Sequence, residues 1–293
     1  MAGPTIQNIL ALPSPTFTLT KAPTQVPRPC DKWERILPRH VRQWDDFNLN
    51  NISSAFGDLL GQPASVAMGG LYANRGVRNL NEMKNHSIDW LLRILESPVA
   101  IGSRLLGHRL GSASVIDHSR DTTFPGAKHK YESSLIFYLD TMPRIHFVVS
   151  CARLSSQWAS EGLKNQEAAG LLPIRQLATY AKESGTRYSF IMTDKEVVVV
   201  RFIANSNGQY GAEWQAIPRD ASGEGTLTVG LAVWALIMMS LHEQHRAVAT
   251  EAETLPINLW WREQGFDGRF TYRHHLSGRE LPYLYSGAVY RDS

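Results

Sequence analysis

The longest apolar run, residues 227–241, places the strongest constraint on what this chain can fold into. Only Thr228, Gly230 and Ser240 interrupt its apolar residues, so a helix of this sequence is apolar nearly all round and needs cover on every side. At about 15 residues the run is shorter than the roughly 18 that a membrane span requires. We therefore predict a helix buried against a sheet, and no membrane partner.

Runs of β-branched and aromatic residues in the middle of the chain predict that sheet. Residues 134–139 and 145–151 are expected to form two adjacent strands. Residues 188–192 and 197–203 are expected to form a hairpin, which a shorter strand near residues 213–217 extends. The sheet therefore has at least one antiparallel hairpin and a hydrophobic centre.

A helix precedes the first strands. Its apolar spacing predicts residues 80–95, with Asn79 or Asn81 as the N-cap and Pro98 as the stop. The Gly- and Ser-rich residues 102–114 that follow predict a connector or a short helix with a basic face.

Two more helices complete the pattern. Pro173 opens one that stops at Gly185, and Thr226 is a candidate N-cap for the buried apolar helix. The order is helix, strand, strand, helix, strand, strand, helix. It predicts an α/β fold with a mixed sheet flanked by helices.

The flanking regions differ in composition from this middle part. Six prolines mixed with Thr and Ser predict a mobile arm over residues 1–29, and residues 30–78 predict a helical extension. Residues 79–250 are expected to form the core, with residues 251–293 as an irregular, aromatic and Arg-rich segment packed on it. Short strands are the alternative for residues 260–293. Two cysteines and no secretory signal predict an intracellular protein, nuclear or cytoplasmic.

Several function classes fail on spacing. His242 and His245 are three positions apart where a zincin helix needs four, which predicts the solvated end of a helix instead. The adjacent His274 and His275 predict surface or packing roles. The chain has no complete phosphate loop, G-x-S-x-G elbow or dinucleotide fingerprint. A formal charge of +3 is only a slight indication of an anionic partner.

One constellation remains. Residues 147–158 (Phe-Val-Val-Ser-Cys-Ala-Arg-Leu-Ser-Ser-Gln-Trp), residues 175–195 and the apolar helix at residues 230–234 together resemble PD-(D/E)XK nuclease-like domains of predicted fungal proteins. Gln176 and Tyr180 also match the Q-x-x-x-Y signature on the crossover helix of one exonuclease branch. The resemblance covers roughly residues 80–250 and implies a restriction-endonuclease-like fold.

The resemblance implies an Asp on or after the second strand, a Glu-x-Lys at the end of the next strand, and Mg²⁺ or Mn²⁺ as the cofactor of an active enzyme. This chain departs from that pattern. The Glu falls on Cys151 and the Lys on Arg153, and the Asp falls on Ser134 or Arg144. A neutral thiol suits Mg²⁺ poorly, and arginine cannot transfer a proton at neutral pH.

A relocated acid is the alternative to a lost metal site. Asp140 and Glu132 lie close to the second predicted strand and are the candidate metal ligands. The candidate catalytic positions are Asp140, Cys151, Arg153, Gln176 and Tyr180, and the candidate nucleic-acid contacts are Arg153 and Arg175. By strand alternation, Cys151 and Arg153 are expected to share one face with Phe147 and Val149.

Three functions follow from these positions. The first is association with nucleic acid by a nuclease-like pseudoenzyme, with phosphate contacts from arginine. The second is an active nuclease that hydrolyses phosphodiesters with a relocated acid and Mg²⁺ or Mn²⁺. The third is a protein-interaction scaffold, which the near-neutral charge favours.

Overall fold

The computed structural model describes residues 3–20, 30–66, 74–112, 115–123, 132–205 and 207–293. The helices are α1 (Ile6–Leu10), α2 (Leu49–Leu60), α3 (Leu80–Leu110), α4 (Glu161–Lys164), α5 (Leu172–Ser184), α6 (Val229–Leu241) and α7 (Glu243–Arg246). The strands are β1 (Phe17–Leu19), β2 (Val41–Gln43), β3 (Arg75–Val77), β4 (Ile116–Thr123), β5 (Glu132–Leu139), β6 (Ile145–Ala152), β7 (Tyr188–Met192), β8 (Glu196–Ala204), β9 (Tyr210–Pro218), β10 (Ala249–Thr250), β11 (Leu259–Gln264), β12 (Phe270–His274), β13 (Glu280–Leu281) and β14 (Val289–Asp292).

A mixed sheet in the order β2-β9-β8-β7-β6-β5-β4 forms the centre of the molecule, and β10 pairs with β8 beside it. Strands β4, β5 and β6 run antiparallel to one another, β6 and β7 run parallel, and β7, β8 and β9 are again antiparallel. The predicted strand pair, hairpin and third strand are therefore confirmed, and so is the α/β class.

Helix α5 connects the parallel strands β6 and β7 and covers one face of the sheet. Its apolar side chains Ile174, Leu177 and Ala181 are fully buried there. Pro173 stands in the first turn and Gly185 ends the helix in the left-handed region (φ 67°). Both predicted boundaries are confirmed, because proline suits the first helical turn and glycine the left-handed cap.

Helices α3 and α6 cover the opposite face. Every residue of α6 is buried, as its apolar composition predicts, although the N-cap is Thr228 rather than Thr226. Within the described residues no helix is both long and apolar enough to cross a membrane.

Helix α3 corrects the prediction that Pro98 ends it. The helix continues to Leu110, and Gly111 ends it in the left-handed region. Its buried stripe runs on beyond the proline, and a Cβ at Gly102 would lie 3.1 Å from the Trp234 ring. Trp234 also donates its indole N–H to the Pro98 carbonyl (3.0 Å). Burial of this stripe against α6 outweighs the roughly 3 kcal/mol that a proline costs inside a helix.

The amino-terminal segment differs from the predicted mobile arm. Residues 3–20 belong to the fold, since Ile6, Ile9 and Leu10 of α1 are almost completely buried. Thr5 and Asn8 form a capping box around the start of this short helix. Thr228 donates its hydroxyl to the Leu10 carbonyl (2.5 Å), which fastens α1 to the start of α6. Residues 21–29 of the predicted arm lie outside the described part of the chain.

The predicted helical extension contains α2, and it also contributes strands. β2 pairs in parallel with β9 at the edge of the main sheet, and β3 pairs in parallel with β1. The buried side chains Trp44 and Phe47 lie between β2 and α2. Residues 30–66 and 74–78 are therefore part of the core packing.

The carboxyl-terminal segment is a second sheet rather than an irregular tail. Its strands follow the order β13-β12-β11-β14. The segment packs on α2, because Trp260 donates to the Ser54 hydroxyl (3.2 Å) and Ser277 to the Ala55 carbonyl (2.5 Å). The alternative of short strands over residues 260–293 is therefore confirmed, and the irregular segment is wrong. Aromatic and arginine residues alternate with turns there, so the sequence did not show how the strands pair.

Candidate functional site

The candidate site lies at the carboxyl ends of the parallel strands β6 and β7. Arg153 directly follows β6, and its backbone N–H donates to the carbonyl of Met192, the last residue of β7 (2.9 Å). Helix α5 starts on this side of the sheet because it returns from β6 to β7. In open α/β sheets ligands bind outside the carboxyl ends of the strands.

Three of the predicted site residues form one chain of hydrogen bonds. The Arg153 guanidinium donates through Nη2 to Oε1 of Gln176 and through Nη1 to the carbonyl of Ala152 (2.7 Å). Gln176 in turn donates through Nε2 to the hydroxyl of Tyr180 (2.5 Å). Gln176 and Tyr180 are one turn apart on α5, so they present both groups on the same helix face.

Cys151 and Tyr180 add no charge to this site. Burial raises the pKa of the Cys151 thiol to about 11 and the pKa of the Tyr180 hydroxyl to about 12. Both groups are therefore neutral at physiological pH. The Arg153 guanidinium is the charged group of the four.

Glu132 reaches the site through its backbone. Its N–H bonds to the Tyr180 hydroxyl, which is one of the causes that lower the pKa of that group against the larger effect of burial. The Glu132 side chain is exposed at the start of β5. The predicted acid therefore lies at the correct end of the sheet, but it makes no ion pair with Arg153 in the described structure.

Asp140 does not belong to the site, which corrects its prediction as a catalytic residue and metal ligand. It follows β5 at the end of the sheet where β6 begins, and it is exposed. The eight residues of β6, at about 3.3 Å each, separate it from Arg153 by roughly 25 Å. Because β5 also has eight residues, the same argument separates Asp140 from Glu132.

A β-bulge changes the expected strand faces. Phe137 pairs with Val148 and Tyr138 with His146, so Phe147 is the extra residue of β6. Val149 and Cys151 lie on the α5 side, while Phe147 packs on the α3 and α6 side. The predicted common face is confirmed for Val149 and Cys151 and is wrong for Phe147.

Arg175 has a different environment from Arg153. Its Nε donates to the carbonyl of Glu34 (3.1 Å), and Thr179 on the same helix accepts the Glu34 N–H (2.9 Å). Arg175 therefore fastens residues 30–37 to α5. It is next to Gln176 in sequence but lies on a neighbouring face of the helix.

These residues do not fit a magnesium or manganese ion. Both metals prefer carboxylate and carbonyl oxygen, whereas the side chains assembled here are a neutral thiol, a phenol, an amide and a guanidinium. Among the described residues, no group of three or more His, Cys, Asp or Glu side chains could hold a metal ion. The chemistry available at the site is binding of an anion by a fixed positive charge.

The sequence interpretation missed the role of Asp194. This buried carboxylate, in the turn between β7 and β8, accepts both the N–H and the hydroxyl of Ser155 (2.6 Å each). Trp158 donates its indole N–H to the Gly170 carbonyl (2.8 Å). The Leu-Ser-x-x-Trp segment after Arg153 is therefore held rigidly. The Thr-Asp-Lys turn in the sequence was the available signal for this contact.

A second group that the sequence interpretation missed is a histidine cluster. The rings of His242 and His245 lie 4.6 Å apart, and His245 lies 4.8 Å from His275, which neighbours His274. His245, His274 and His275 are buried, which corrects the expected solvated helix end at His245. The sequence gave no signal that the pair His242 and His245 would contact the distant pair His274 and His275.

Comparison of the chain with protein-family models, with curated proteins and with solved structures found no match in any of the three searches. Any functional conclusion therefore depends on the site geometry.

Proposed function

We propose that this protein associates with nucleic acid through a nuclease-like site in which a fixed arginine, Arg153, replaces metal chemistry. The observation that carries the proposal is the state of the Arg153 guanidinium. It is half-buried, bonds only to neutral oxygens, and its Nε is buried with no partner among the described residues. A buried cation without an acid favours an anionic ligand.

The order of elements around the site supports the proposal. Helix α3, the antiparallel strands β4 to β6, the crossover helix α5 and the parallel strand β7 follow one another along the chain. The resemblance to PD-(D/E)XK domains implies a strand, a second strand ending in the active-site motif, a crossover helix and further strands. In this chain the motif positions are Cys151 and Arg153, at the end of β6.

The fixed geometry of Arg153 also favours phosphate binding. Gln176 and the Ala152 carbonyl hold the guanidinium in one position, so little side-chain freedom remains to be lost when a ligand binds. A guanidinium carries more N–H donors than these two bonds use. A charge-assisted hydrogen bond to phosphate contributes about 1.5–3 kcal/mol, which corresponds to roughly a 10- to 100-fold change in affinity.

Hydrolysis is not part of the proposal, because the donor set does not fit a metal ion and Asp140 lies at the opposite end of the sheet. The proposed activity is therefore binding, with the protein as a nuclease-like pseudoenzyme. If the chain binds no nucleic acid, the protein-interaction scaffold is the hypothesis to test next.

Fluorescence anisotropy with labelled single- and double-stranded DNA and RNA, over a series of salt concentrations, tests the proposal. We expect Arg153→Gln to weaken binding about tenfold or more and to reduce the salt slope by about one. The matched control is Arg269→Gln, since Arg269 is a highly exposed arginine of the carboxyl-terminal sheet. Arg175→Gln decides whether Arg175 also contributes.

Two results would overturn the proposal. The first is a wild-type protein with no salt-dependent affinity for any of the oligonucleotides. The second is an Arg153→Gln protein that melts like the wild type and binds with unchanged affinity and slope.

A further inference from the structure

Arg187 is a second buried arginine with unused donors, at the opposite end of β7 from Arg153. Only 2% of Arg187 is exposed. Its Nε and Nη2 atoms are buried and have no hydrogen-bond partner among the described residues. These two atoms lie on the same edge of the guanidinium, and this edge forms paired hydrogen bonds with carboxylate or phosphate.

The neighbouring arginines bind carboxylates or backbone carbonyls, and none of these groups binds the Arg187 side chain. Arg201 is paired with Glu213 and lies 3.8 Å from Asp46. Arg246 donates to the Ser240 and Leu241 carbonyls at the end of α6. Within the described residues, no carboxylate lies within 4 Å of the Arg187 side chain. The charge of Arg187 helps to lower the pKa of Glu253, but Glu253 is exposed and forms no ion pair with Arg187. A guanidinium stays protonated in a protein, so a buried one without a close carboxylate favours a bound anion.

One member of the histidine cluster, His245, lies near Arg187. The Arg187 backbone N–H donates to the carbonyl of Arg246 (2.8 Å), the residue after His245. Burial lowers the pKa of His245 to about 3, and the charge of Arg187 contributes to the shift. His245 is therefore neutral at physiological pH, and the positive charge beside it is that of Arg187.

Hydrogen bonds define how the cluster is ordered. His275 must donate through Nε2 to the Pro256 carbonyl (2.8 Å), because a carbonyl only accepts. Its Nδ1 then accepts from Nε2 of His245 (3.3 Å). The lone pair of His245 is consequently on Nδ1, and the ring is held in one orientation.

We propose that the Nε and Nη2 edge of Arg187 binds a small oxyanion, between the start of β7 and helix α7, beside the neutral His245. Phosphate and carboxylate share the required chemistry of two oxygens on one centre. The site is separate from Arg153, and it does not depend on nucleic-acid binding.

Thermal unfolding of the full chain in sodium phosphate, sodium acetate and sodium chloride of equal ionic strength tests this proposal. A ligand at about 100 times its Kd raises the Tm by roughly 4–5 °C for a protein of this size. We expect this rise in phosphate or acetate but not in chloride, and the comparison between the first two identifies the preferred anion. No rise in either overturns the proposal.

Two variants and one direct measurement complete the test. Arg187→Gln should abolish the rise, whereas Arg153→Gln should keep it, so failure of this proposal is distinguishable from failure of nucleic-acid binding. If Arg187→Gln does not fold, the arginine Nε–H resonances of the ¹⁵N-labelled Arg153→Gln protein, which lacks the other buried Nε–H that favours phosphate, are titrated with inorganic phosphate. A saturable shift of one buried arginine supports the site, and unchanged resonances refute it.

Discussion

Removal of residues 1–20 should prevent the rest of the chain from folding, although composition predicts that these residues are a dispensable arm. The segment contributes four side chains that are at most 3% exposed: Ile6, Ile9, Leu10 and Phe17. Full burial of such a side chain stabilises by about 1.5–3 kcal/mol, so the four together contribute roughly 6–12 kcal/mol. This is comparable with the 5–15 kcal/mol that separates a typical folded domain from its unfolded chain.

The geometry around α6 makes this loss difficult to repair. A Cβ at Gly230 would lie 2.6 Å from Ile94 and 3.0 Å from the Leu10 carbonyl, so α1 fills a close-packed gap between α3 and α6. Removal would expose the apolar start of α6 and leave the Thr228 hydroxyl without its Leu10 acceptor. The truncated chain should therefore aggregate or bind hydrophobic dyes.

Circular dichroism melting of the full chain, the truncated chain and Leu10→Ala measures the effect. Leu10→Ala should cost about 2–5 kcal/mol and lower the Tm by about 3–8 °C. The matched control is Thr18→Ala, because Thr18 is exposed on β1. Cooperative melting of the truncated chain within a few degrees of the full chain would refute the reasoning.

Three further predictions concern titration, metal and thiol chemistry. Burial lowers the pKa of His245 and His274 to about 3, so the unfolded chain binds more protons than the folded one between pH 6.5 and 3. The free energy of unfolding, measured by urea denaturation, should therefore fall by about 2 kcal/mol per histidine between neutral pH and pH 5. The control His118→Gln, at an exposed histidine, should leave this dependence of the unfolding free energy on pH unchanged. Nucleic-acid binding should persist in EDTA, with no cleavage on a gel in Mg²⁺ or Mn²⁺, and metal-dependent cleavage would contradict the arginine site. Iodoacetamide at pH 8 should label Cys30 but not native Cys151, because burial raises the pKa of Cys151 to about 11; mass spectrometry of the native and urea-unfolded protein reports both.

The strands and helices that the sequence predicts well are those whose pattern is local. The hairpin β7–β8 and the helix between Pro173 and Gly185 depend on neighbouring residues, and both are confirmed. The prediction that α3 ends at Pro98 fails because the extension of the helix depends on contact with Trp234, which is 136 positions away in sequence. Local propensity cannot express a stabilisation that comes from a distant element.

The prediction of a mobile amino-terminal arm fails for a related reason. The spacing of Ile6, Ile9 and Leu10 is that of an amphipathic helix, and Thr5 with Asn8 makes its capping box. With five residues, however, α1 is too short to be stable alone, and six prolines dominate the composition around it. Its helical structure depends on the gap that α3 and α6 leave for it.

The candidate site shows the same division between local and distant information. Spacing on one helix predicts that Gln176 and Tyr180 lie together, and the end of one strand predicts the positions of Cys151 and Arg153. Asp140 could be placed only with the direction of β5 relative to β6, and Phe147 only with the bulge between those strands. Strand register is set by packing across the sheet, so alternation within one strand could not decide it.

The surroundings of Arg153 determine what its site can bind. Arg153 is half-buried and is held by Gln176 beside two neutral groups whose pKa values lie far above neutrality. The positive charge at this position is therefore permanent, whereas the occupancy of a metal site depends on the metal concentration. Affinity that falls with salt and requires no divalent metal is the property that separates a fixed arginine from a hydrolytic metal site, and it follows from the side chains at the end of β6.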